Sequence, residues 1–102
     1  MSISLQVLYP TTNGTHFDYD YYLESHMPMV ATHMGAYISQ TLVTKGLAGG
    51  PDTPAAHYAI ATMVFADQVA MDAAMENAGP VLEDIVNFTD TTPQMLIGEV
   101  VV

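Results

Sequence analysis

A chain of 102 residues, half of them hydrophobic and only 12% charged, makes one domain with more apolar material than its interior readily absorbs, which favours pairing with a second copy. Eleven acidic residues face one base, Lys45, and there is no arginine, so nucleic acid, nucleotides and anionic membranes are disfavoured as partners. Without cysteine there are no disulfides, thiolate nucleophiles or thiolate metal sites.

The opening MSISLQVLYP has neither a basic leader nor an unbroken apolar run. No apolar stretch approaches the roughly 18 residues that cross a bilayer. A cytoplasmic protein is the expectation. Ile3, Leu5, Val7 and Tyr9 alternate with Ser2, Ser4, Gln6 and Leu8, the period of a first strand with one wetter face. After a Pro10–Thr15 loop, Asp18 is placed to cap a helix running to about Gly35. Tyr37 to about Val43 reads as a second strand, GLAGGPDTP as a turn-rich connection, and His57 to Phe65 as a central third strand. Asp67 caps a second helix with Met71, Ala74, Met75 and Ala78 along its stripe, closed by Gly79-Pro80. Val81 to Val86 adds a short helical turn, and Gln94 to Val102 a last strand.

This order is βαββαβ: one ferredoxin-like α+β domain over residues 1–102, with two helices on one face of a four-stranded antiparallel sheet. The strands are largely apolar on both sides. The sheet face without helices is therefore expected to pair with a second copy.

SHMPMVATHMG, residues 25–35, carries the chemistry. On a helical wheel Tyr19, Tyr22, Leu23, His26, Met27, Met29, Val30, His33 and Met34 share one arc, while Pro28 faces the wetter side. Proline leaves the Glu24 carbonyl without a helical donor, so a bend is expected, or a helix that ends near Met27 and restarts on the proline. His26 and His33 are seven residues and roughly 10 Å apart along the axis, too far to share one metal ion. Each is either a core histidine bonded to a carbonyl or a group bordering a cavity. For His26 the second reading makes it a general acid or base, with Tyr22 one turn earlier.

LYP, FDYDYYLESHMPMV, GLAGG, NFTD and PQMLIGEV, in that order along nearly the whole chain, resemble the EthD family of small bacterial proteins. The resemblance implies a ferredoxin-like subunit pairing into a dimeric α+β barrel; similar barrels include haem binders, but no haem motif is present here, and no cofactor or metal is expected. The family is named for an accessory component of bacterial ethyl tert-butyl ether degradation that is associated with a cytochrome P450 system, so the resemblance implies the architecture firmly and the reaction only loosely. The matching motif positions are Tyr22, His26 and Pro28, with Asn87 and Asp90 in NFTD. Tyr22, His26 and Asp90 are the candidate catalytic residues, Asp90 either holding an imidazole in one tautomer or capping the turn before the last strand. Gly46, Gly49 and Gly50 read as loop geometry and not a phosphate loop. His16 reads as solvated. Two functions follow: a cofactor-free acid–base enzyme for small apolar organic ligands, or a non-catalytic accessory protein serving a partner oxygenase.

Overall fold

A computed structural model describes residues 1–102. Four antiparallel strands run β1 (Ile3–Pro10), β2 (Gln40–Lys45), β3 (His57–Phe65) and β4 (Gln94–Glu99), in the sheet order β2-β3-β1-β4. The two most apolar strands are thus central. The expected alternation sets the pairing: Ile3, Leu5, Val7 and Tyr9 turn inward, opposite Phe65, Met63, Ala61 and Ala59 of β3. Register shifts between Tyr9 and Pro10, where a proline without an N–H closes the strand.

The helices cover one face. Helix α1 (residues 19–34) consists of an α turn Tyr19–Tyr21, a π-helical stretch Tyr22–His26 and an α stretch Met27–Met34. Helix α2 spans Gln68–Glu76 and α3 spans Gly79–Asp84. The expected caps form: Asp18 accepts from the Tyr21 N–H at 3.1 Å, and Asp67 from the Ala70 N–H at 2.8 Å. Gly79-Pro80 opens α3 instead of closing α2, because a proline in the first helical turn forfeits only an N–H that has no helical partner. The second strand starts at Gln40, since residues Gly35–Tyr37 form a 3-10 turn. The last strand ends at Glu99 and leaves Val100 to Val102 beyond it.

Pro28 neither ends α1 nor leaves a simple gap. It is exposed, in the first turn of the Met27–Met34 stretch, and the turn before it widens so that the Met27 N–H reaches the Tyr22 carbonyl, five residues back. The wider turn narrows the buried stripe to residues four apart: Tyr22, His26, Val30 and Met34. Leu23, expected on that stripe, is instead exposed, and His33 is half-buried.

On the opposite sheet face Leu8, Ile60 and Val64 are only half-buried, and Leu42 and Leu96 are exposed. The edge strand β4 is exposed on both sides through Met95, Leu96 and Ile97. In the β2–β3 connection Gly46 donates to the Tyr58 carbonyl at 2.9 Å, and a side chain there would collide with the His57 carbonyl. No helix is long and apolar enough to cross a membrane.

Candidate functional site

The FDYDYY and NFTD segments, far apart in the chain, are laced together beyond the inner end of β1. Asp18 donates its N–H to the Phe88 carbonyl at 2.7 Å, and the Thr89 hydroxyl donates to the His16 carbonyl at 2.6 Å. Tyr9, Phe17, Tyr21 and Tyr22 all pack their rings around Phe88, which is wholly buried. This lacing fixes α1 against the segment that follows α3.

It also brings His26 to Asp84. Both are buried, and the imidazole Nδ1 lies 3.0 Å from Asp84 Oδ2. The other carboxylate oxygen accepts from the Tyr21 hydroxyl at 2.7 Å and from the Asn87 amide at 3.0 Å. Burial pulls the Asp84 carboxyl upward, but the Asn87, Tyr21 and His26 hydrogen bonds together outweigh it and hold it below the ordinary carboxylate range. Burial likewise lowers His26, more than the Asp84 bond and charge raise it, so the ring is neutral near pH 7. Against a carboxylate Nδ1 must carry the proton, which leaves Nε2 as a lone-pair acceptor. Nε2 has no protein partner.

His26 and Tyr22 line a cavity of about 40 Å³ between the helices and the sheet. Its walls are otherwise apolar and include Leu5, Val7, Val30, Ala61 and five methionines: Met27, Met34, Met63, Met75 and Met95. Leu82 of α3 and Met95 of the edge strand β4 are among its lining residues and are 43% and 46% exposed. The Tyr22 ring lies nearly parallel to the imidazole, with centroids 5.5 Å apart and 17° between planes. Its hydroxyl is the one buried side-chain polar atom without a hydrogen-bond partner. Burial pushes that phenol up to about 12, so it stays protonated. Tyr9 joins the same wall, its phenol pushed up by burial and then by Tyr22.

Of the three residues expected at the site, Tyr22 and His26 share this cavity and Asp90 does not line it. The imidazole that Asp90 meets belongs to His16: its carboxylate accepts the His16 backbone N–H at 2.9 Å and lies 3.3 Å from the ring, all largely exposed. Asp84 fills the place that the sequence reading offered Asp90. A larger groove of about 500 Å³ beside the β2–β3 connection is lined by Lys45, Leu47 and His57. The Lys45 ammonium sits 4.3 Å from the Tyr19 ring centroid.

Both buried ionisable groups act in the same direction on acidification. Below about pH 6.5 the unfolded chain protonates His26 while the folded chain resists, so stability falls as pH drops through that window. Below about 3.8 the unfolded chain begins to protonate Asp84 before the folded one does, and stability falls further. Thermal midpoints from pH 7.5 to 5 should fall more steeply in the wild type than in His26→Gln. Parallel curves would contradict the assignment.

Together the βαββαβ order, the four-stranded antiparallel sheet and the inward His–Asp pair define a ferredoxin-like α+β domain with a small internal polar site. The EthD domain model matches residues 15–92, and the chain belongs to the EthD family. An EthD-like protein from Ralstonia eutropha is 40% identical, with 99% of this chain and 93% of that chain covered and a TM-score of 0.89. An ethyl tert-butyl ether (EthD) family protein from Bacillus halodurans is 21% identical over 99% and 100% of the two chains, with a TM-score of 0.77. SnoaB, a cofactor-independent oxygenase from Streptomyces nogalater, shares the fold at 11% identity, covering 99% and 92%, with a TM-score of 0.62. No curated protein matches this sequence.

Proposed function

We propose that this protein is a cofactor-free acid–base catalyst acting on small apolar organic molecules in catabolism, with His26 as the base. The carrying observation is the imidazole anchored by Asp84 through Nδ1, with its second nitrogen unpartnered at an apolar cavity. Tyr22 serves as the hydrogen-bond donor to the oxygen that develops charge. Asp84 positions the ring and balances the imidazolium once a proton arrives. The name of SnoaB, a cofactor-independent oxygenase, supports the idea that this architecture accommodates chemistry without a bound cofactor.

Two copies meeting through the open sheet face, over Leu8, Leu42, Ile60, Val64 and Leu96, complete the reading as a homodimer. The test is turnover of a panel of small cyclic ketones, phenols and ethers by wild type and His26→Gln. A loss of on the order of 10²–10⁴-fold with the fold intact is expected. Unchanged turnover in the variant removes His26 from the chemistry. If no panel member is turned over while a cytochrome P450 partner is captured, the accessory role replaces the catalytic one.

A further inference from the structure

Beside the Tyr9 hydroxyl, which also has no hydrogen-bond partner, two unpartnered polar groups of the residues lining the cavity are of opposite kinds. Tyr22 Oη, buried and held as a phenol, has a proton to give. His26 Nε2, with Nδ1 committed to Asp84, has a lone pair to receive one. Their rings are nearly parallel, with centroids 5.5 Å apart, and both residues line the same small cavity. A hydrocarbon satisfies neither group, and a ketone or ether oxygen satisfies only Tyr22. A carboxylate meets no cation, because Lys45 lies over Tyr19 and does not line the cavity.

We infer that the ligand is a neutral ring compound bearing a hydroxyl group, whose single oxygen accepts from Tyr22 Oη and donates to His26 Nε2. The inference rests on the reading of His26 as an open acceptor and names the substrate class for it. In the proton step the ligand O–H bond breaks and an N–H bond forms at Nε2. The electron pair stays on the oxygen, still held by the Tyr22 hydroxyl, and the imidazolium faces Asp84. The resting cavity of about 40 Å³ is smaller than the roughly 150 Å³ that admits benzene. The methionine walls supply the difference, since unbranched thioethers change rotamer readily and pack well on ring edges. Met95, the exposed one among them, is placed to move first.

Phenol, toluene and benzoate separate the possibilities, titrated into protein labelled at its methionine methyl groups and read by NMR and calorimetry. Phenol is expected to bind about tenfold more tightly than toluene, with shifts at the cavity methionines, and benzoate not at all. In Tyr22→Phe the phenol preference should shrink to about twofold. That variant deletes an unpartnered buried polar atom and should melt no lower than wild type, so lost discrimination will not reflect unfolding. Equal binding of phenol and toluene, no binding of either, or full discrimination in Tyr22→Phe overturns the proposal. Binding is read without turnover: discrimination that holds while His26→Gln keeps wild-type activity leaves the ligand class standing and removes the proton step together with the catalytic reading.

Discussion

Exchanging Asp84 for asparagine should cost nearly as much activity as removing His26 itself, on the order of 10²-fold or more, with the fold retained. Oδ1 of Asp84 receives two donors, the Tyr21 hydroxyl and the Asn87 amide. In Asp84→Asn the side-chain oxygen must stay there, because the opposite flip would set an NH2 against both donors. The new NH2 then faces Nδ1 of His26, which has to accept. The ring proton moves to Nε2, and the base becomes a donor. The side chain also loses the negative charge that stabilises the imidazolium. Nitrogen-15 shifts of the imidazole report this directly: Nδ1 protonated in the wild type, Nε2 in the variant. An unchanged tautomer with activity within tenfold of wild type would falsify the positioning role.

The second large effect is on stability. Phe88 is wholly buried, with ring centroids 4.6 Å from His26, 5.0 Å from Tyr22, 5.2 Å from Phe17 and 5.7 Å from Tyr9. Phe88→Ala opens a void among rings already locked by their own contacts, so little collapse can refill it. A loss of about 3–5 kcal/mol is expected, against a total of roughly 5–15 kcal/mol for a domain of ordinary stability. The urea midpoint should drop sharply, and the variant should be partly unfolded at 37 °C. A loss below about 1 kcal/mol would mean the cluster is far more plastic than its packing implies. Phe88 follows Asn87 and is bonded by its carbonyl to Asp18, so the same variant should loosen the His26–Asp84 pair.

Strand β1 is legible because burial on one face writes an alternation directly into it, and β3 because a run apolar on both faces suits a central strand. The caps at Asp18 and Asp67 were legible because few residue types satisfy a first-turn N–H. The stripe through His26 was visible too, though drawn too wide. An ordinary wheel assumes one angle per residue, and only Pro28 hints that the preceding turn relaxes to a wider winding. Asp84 left no mark. It lies in VLEDIVN, where an acidic side chain late in a short helix looks solvated, and only the tertiary approach of α1 buries it. Asp90 drew attention through its motif, but that motif is a staple for the His16 loop. Tyr9 was read as the last inward residue of a strand, which it is. Its place on the cavity wall depends on how far the helices stand from the sheet, a distance no local pattern encodes.

Strand β4 carries one more consequence. Its unpaired edge and three consecutive exposed apolar side chains, Met95, Leu96 and Ile97, form a ready template for stray association. The surplus of ten negative charges opposes such association, a long-range repulsion that fades as the solution approaches the isoelectric point near 4.1. Acidification that protonates His26 should therefore silence the proposed base and weaken the fold, while protonation of the carboxylates at lower pH discharges the particle. Acid inactivation and precipitation should travel together, and salt, by shortening the reach of the repulsion, should move the clouding point upward in pH without moving the imidazole titration to the same extent.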